Sequence, residues 1–101
     1  MIRVLANEIG AKPYRNGDNP LPVGSIILKE IFDGQSCDDY GELGLWSVMR
    51  KETAGFDTDD GDWHWQDVLP DRSVENDMKA RCIGCHRRDE CVARDYMCTE
   101  L

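Results

Sequence analysis

Long apolar runs are missing from this 101-residue chain. No stretch approaches the roughly 20 apolar residues that a membrane-spanning helix needs, so no span is expected. Basic residues are also scarce: 12 Lys and Arg stand against 20 Asp and Glu, a formal net charge of −8. That balance argues against nucleic acid as a partner, because phosphate binding depends on clustered cations, and it disfavours anionic membrane surfaces. It identifies no positive partner, since solubility alone explains an acidic surface. There is no internal repeat and no low-complexity segment. No signal-peptide pattern opens the sequence, which runs from Met1 straight into the apolar-rich IRVLA. The length suits one domain, 1–101, with a single modest core near the size at which staples help.

Cysteine, by contrast, is concentrated. Four of the five lie between Arg81 and Leu101, in RCIGCHRRDECVARDYMCTEL. Cys82, Cys85 and His86 read C-x-x-C-H, the attachment pattern of a c-type haem. Two thiols three residues apart can reach two vinyl groups of one porphyrin and form thioethers. The imidazole that follows then lies under the iron as its proximal ligand. C-x-x-C alone also serves zinc ribbons and thioredoxin-like sites, so two other readings stay open. Cys82, Cys85, Cys91 and Cys98 can be four thiolates around one structural zinc, with His86 a bystander or alternative ligand; or the cysteines form plain disulfides. If two cysteines hold haem, Cys37, Cys91 and Cys98 remain, enough for one disulfide and one free thiol. Cys91 and Cys98 are near enough in sequence to close a short loop, which would suit an oxidising compartment. Covalent haem attachment in bacteria takes place outside the cytoplasm. The haem reading therefore expects a periplasmic or otherwise exported protein whose leader is not in this sequence, and the lack of a leader weighs mildly for zinc.

Along the chain, Ile2 to Ala6 reads as a short strand. Asn7 is placed to cap a short helical turn through Ala11, stopping before Pro13. Residues 15–24, RNGDNPLPVG, form a loop. Ser25 to Phe32, SIILKEIF, is the clearest strand, with Ile27, Lys29 and Ile31 on one face and Ile26, Leu28, Glu30 and Phe32 on the other. Both faces are largely apolar, so both are expected to be covered. Lys29 is the anomaly, a cation between two isoleucines, for which snorkelling to the sheet edge is the plain explanation. Leu43 to Lys51 reads as a second long strand, with Leu45, Ser47 and Met49 opposite Trp46, Val48 and Arg50. Phe56 to Gly61 is an acidic turn that lacks the ligand pattern of a calcium loop. Asp62 to Leu69 is a third strand, placing Trp63 and Trp65 on one face and His64 and Gln66 on the other. His64 is a candidate distal ligand, although a lone strand histidine usually just forms hydrogen bonds. Ser73 then caps a helix with Val74, Met78 and Cys82 on one face, delivering the thiols and His86. Asp95 to Glu100 closes the chain as a strand. The class is α+β on a mostly antiparallel sheet, with the C-x-x-C-H motif on a C-terminal helix.

The whole pattern resembles the cytochrome P-460 and cytochrome c′-β family. The likeness rests on ordered segments: the strand with Arg3, Asn7 and its helical region, PLPVG leading into IILKEIF, a long strand, Gly61 to Trp65, C-I-G-C-H, and the Asp95–Tyr96 step. The family's longer N-terminal portion is missing or much shortened here. The resemblance implies about five antiparallel strands and one c-type haem, with Cys82 and Cys85 as thioether residues, His86 as proximal ligand and an open distal side. In P-460 members a lysine in the matching Lys-Glu step is cross-linked to the porphyrin edge, and Lys29 beside Glu30 occupies that place, with burial expected to lower its pKa towards a nucleophilic amine. Arg3 matches an arginine near the haem pocket, where pairing with a propionate is the role expected of it. P-460 enzymes that oxidise hydroxylamine use a distal carboxylate, whereas the matching strand here offers Leu45, Trp46, Ser47 and Met49. The resemblance therefore favours binding of a small ligand, nitric oxide, carbon monoxide or hydroxylamine, over oxidation of hydroxylamine or nitric oxide. Met49 or Met97 as sixth ligand would instead make an electron carrier, though sheet methionines are more often core. A redox partner protein of unknown identity is implied, and a homodimer is among the compatible assemblies.

Overall fold

The computed structural model describes residues 2–34, 39–76 and 86–97. Its frame is a five-stranded antiparallel meander: β1 (Ile2–Ala6), β2 (Ile26–Phe32), β3 (Leu43–Lys51), β4 (Trp63–Val68) and β5 (Val74–Asn76), each paired with the next in order. Two short helices, α1 (Glu8–Asn16) and α2 (Asp89–Val92), complete the α+β class expected from the sequence. Directly paired residues share a face of the sheet. Lys29 lies opposite Val4 and Ser47, and Ser47 opposite Asp67. The next row is Ala6, Ile27, Met49 and Trp65, followed by Lys51 and Trp63. The reverse face carries Leu5, Leu28, Glu30, Trp46, Val48 and Val68.

The first face holds the core, in which Tyr14, Leu21, Ile27, Met49, Trp63, Trp65 and Met97 pack together. Trp63 and Trp65 are 1% and 2% exposed, which confirms the shared face read from their alternation. Each such indole removes about 150–250 Å² from water, a gross gain of roughly 4–6 kcal/mol at ~25 cal/mol/Å² before chain entropy opposes it. The reverse face is not closed over in the same way. It forms a groove of about 390 Å³ lined by Leu5, Leu28, Glu30, Trp46, Val48, Val68 and Arg72, so the expectation that both faces are covered is met on one only.

Asn7 caps α1 as expected, its Oδ1 accepting from the Gly10 and Ile26 amides at 3.0 Å each. The helix does not stop at Ala11, however; it continues through Pro13 to Asn16 and ends at the left-handed Gly17. Pro13 removes one helical hydrogen bond. Burial of Tyr14 and satisfied caps at both ends outweigh that loss.

Two other expectations are corrected. Ser73 does not start a helix: its amide and hydroxyl both donate to Asp71 Oδ1, and Val74–Asn76 pairs with β4 as β5. The turn is closed by Arg72 in a left-handed conformation, φ 74°, with Leu69 N–H donating to the Ser73 carbonyl. Met78 and Cys82, assigned to that helix, lie outside the described residues, so the helix expected to carry the motif is not part of the fold as described. Nor does Asp95 begin a strand. Asp95 and Tyr96 have φ 54° and 70°, a pair of left-handed residues incompatible with extended backbone. The remainder of that expected strand, 98–100, is outside the described residues.

The segment from α2 to Met97 is fastened to the first face of the sheet. Lys51 Nζ meets Asp95 Oδ2 at 2.8 Å and Oδ1 at 3.0 Å, the Leu21 amide donates to Asp95 Oδ2 at 2.7 Å, and Trp63 Nε1 donates to the Asp95 carbonyl at 3.1 Å. Asn19 Nδ2 reaches the Val92 and Ala93 carbonyls at 3.1 and 3.2 Å. These contacts bring the segment 86–97, His86 included, over β4.

Candidate functional site

His86 packs against Trp65 with ring centroids 4.9 Å apart and planes inclined at 59°. Its Nδ1 lies 2.6 Å from the Tyr96 carbonyl oxygen. A carbonyl only accepts, so the pair requires the proton on Nδ1 and makes Nε2 the nitrogen suited to a metal. Burial depresses the imidazole's pKa below its ordinary value, outweighing the opposing hydrogen bond to Tyr96, and the positive charges of Lys29 and Arg88 depress it further. A neutral, oriented imidazole is the form that binds iron. Next along the chain, Arg87 makes a bidentate pair with the buried Asp60, Nε to Oδ1 at 2.7 Å and Nη2 to Oδ2 at 2.9 Å. This fork ties the histidine's neighbour to the 3-10 turn Thr58–Asp60.

Lys29 shares the face of the sheet over which His86 lies, and its charge is felt at the imidazole. It is half-buried and makes no hydrogen bond or ion pair among the described residues. Beside it in the row, Ser47 Oγ donates to Asp67 Oδ1 at 3.0 Å, and Asp67 is buried. β3 does lack an acid at the matching place, as its sequence says. The neighbouring β4 supplies one on the same face, two strand spacings from Lys29, roughly 10 Å between Cα atoms. Sequence reasoning missed Asp67, although the alternation that aligned Trp63 with Trp65 continues to it.

Arg3 goes elsewhere. It lies on the reverse face, with Nη2 2.6 Å and Nε 2.7 Å from Glu30 Oε1, while Trp46 Nε1 donates to Glu30 Oε2 at 3.1 Å. Burial pushes the Glu30 carboxyl up, but the hydrogen bonds from Trp46 and Arg3 and the charge of Arg3 outweigh it and hold the group below its ordinary value. The sheet thus separates Arg3 from His86 and Lys29. His64 is also on the reverse side, against Phe56 at 5.9 Å and Arg50 at 3.5 Å. Met49 and Met97 are core residues, 7% and 4% exposed. Cys82 and Cys85 lie outside the described residues.

The match to known families decides the identity of this arrangement. The family model for Cytochrome P460 matches residues 1–99. The chain belongs to the cytochrome P460 family. A search of curated proteins finds no match. The family is one of haem proteins, so a haem cofactor follows, and the described residues of the chain include groups that fit one. Trp65 Nε1, beside His86, is buried with no hydrogen-bond acceptor among the described residues; a porphyrin carries propionate carboxylates of the kind that donor lacks. With Nδ1 committed to the Tyr96 carbonyl, Nε2 of His86 would be the atom to hold the iron.

Proposed function

We propose that this protein is a monohaem c-type cytochrome with an open distal position, which binds a small ligand such as nitric oxide, carbon monoxide or hydroxylamine and exchanges electrons with a partner protein. Cys82 and Cys85 hold the porphyrin as thioethers and His86 is the proximal ligand. Held by His86, a haem would supply an iron able to bind a small ligand and to change oxidation state. The observation that carries the reading is the His86 imidazole itself, half-buried against Trp65 with Nδ1 committed to the Tyr96 carbonyl. Lys29, on the same face and without a hydrogen-bond partner among the described residues, is the group for the porphyrin edge. A disulfide at Cys91, which is fully buried, would suit a periplasmic or otherwise exported protein.

Titrating the ferrous protein with nitric oxide and with carbon monoxide tests the ligand role. A saturable Soret shift is expected with each gas, and a band that stays fixed with both contradicts an open distal site. Lys29→Leu is expected to abolish a red-shifted ferrous band; an unchanged spectrum removes the cross-link.

Asp67 favours a second reading, oxidation of hydroxylamine or nitric oxide. Hydroxylamine loses protons with its electrons. A buried carboxylate on the haem-facing side, held by Ser47, can accept a proton, while the redox partner takes the electrons. Asp67→Asn is then expected to lower hydroxylamine turnover at least tenfold while leaving carbon monoxide binding intact; equal turnover in the variant would leave ligand binding as the function.

A further inference from the structure

The Tyr96 carbonyl reaches His86 only because Asp95 and Tyr96 are both left-handed, φ 54° and 70°. Residues with a side chain seldom adopt that conformation, and two in succession need an external hold. Asp95 has one. Its carboxylate takes Lys51 Nζ at 2.8 and 3.0 Å and the Leu21 amide at 2.7 Å, and Trp63 Nε1 lies 3.3 Å from its Oδ1. Lys51 Nζ also donates to the Gly61 carbonyl at 2.5 Å. Gly61 lies under the ring of Tyr96, so close that a Cβ there would sit 2.6 Å from Tyr96 Cε2. The ammonium therefore joins the two elements that bracket Tyr96. The side chains of Lys51 and Asp95 are 7% and 4% exposed. A buried ion pair is weak evidence for stability, because an apolar pair of similar volume is often as good. What this pair does that an apolar pair cannot is fix the direction of a backbone carbonyl.

We propose that Lys51 and Asp95 are positioning residues for His86: their ion pair locks the Asp95–Tyr96 backbone so that the Tyr96 carbonyl holds the imidazole Nδ1–H. The strength of that hydrogen bond sets how electron-rich the imidazole is as an iron ligand. The inference rests on the haem reading above and deepens it.

The test uses the haem-loaded protein and two variants. Asp95→Gly removes the carboxylate yet enters the left-handed region freely. Asp95→Asn keeps an acceptor for the Leu21 amide and tolerates the same backbone, but loses the charge. The readouts are the iron–histidine stretching band of the ferrous protein, by resonance Raman, and the reduction potential. Asp95→Gly is expected to move the band to lower frequency and raise the potential, and Asp95→Asn to shift both in the same direction by less. A lowered thermal midpoint with band and potential unmoved in Asp95→Gly, or in Asp95→Asn should the glycine variant not fold, makes the pair a structural clamp and overturns the inference. A wild-type chain that binds no haem is recognised from its visible spectrum beforehand and overturns the function itself.

Discussion

The two faces of this sheet are made by the same five strands, yet one is filled and the other left as a groove. On the first, two tryptophans, Ile27 and Met49 are sealed by α1 and by the segment that carries His86. Among its polar groups, Ser47 and Asp67 bond each other, and Lys51 is paired with Asp95 of the segment that carries His86. On the reverse face, Leu28, Trp46 and Val48 line the groove, and the charges there answer one another locally, Arg3 with Glu30 and Arg72 over the Trp46 ring at 5.7 Å. On the first face the buried Lys51–Asp95 pair joins the sheet to another element, whereas on the reverse face the Arg3–Glu30 pair joins neighbouring strands. The contrast predicts a graded response to mutation.

Lys51→Met should have the largest effect. It strands the Asp95 carboxylate in the core, and a cost of about 3–5 kcal/mol is expected in urea unfolding; a loss under ~1 kcal/mol would mean that the first face does not depend on this pair. On the reverse face, Glu30→Gln keeps an acceptor for Trp46 but drops the charge facing Arg3, for about 1 kcal/mol. It should also remove an acid-dependent slope. The folded Glu30 pKa lies below its unfolded value, so its contribution is complete above the unfolded pKa and is lost as pH falls through the folded one. Thermal midpoints measured on both proteins from neutral to acid pH should converge at the acid end; parallel curves would deny the shift. Arg3→Ala, half-exposed, should cost only about 0–1 kcal/mol and leave the visible spectrum untouched. A changed Soret band would place Arg3 within reach of the haem and undo the separation of the faces.

Much of this frame was legible in the sequence. Strands β2 to β4 follow from period-two patterning, and Lys29 stood out because it breaks an apolar row. The helix cap at Asn7 was likewise readable, since an Asn side chain satisfies amides only a few residues away. What escaped reading depended on partners distant in sequence. Asp67 acquires meaning only when β3 pairs with β4 and sets Ser47 opposite it. The left-handed Asp95 is imposed by Lys51, Leu21 and Trp63, none of them near it in the chain. Ser73 misled because a hydroxyl that can cap a helix can equally close a turn, and Asp71 claimed it first. Parity places Arg3 beside Glu30: one residue's step along β1 decides which side of the sheet a side chain serves.

The central claim is that His86 and the thiols beside it hold a porphyrin. Acid–acetone extraction of the purified protein, followed by its absorption spectrum and a metal count, tests this directly. The account predicts a Soret band that stays with the polypeptide and one iron per chain. A colourless chain carrying one zinc would contradict it.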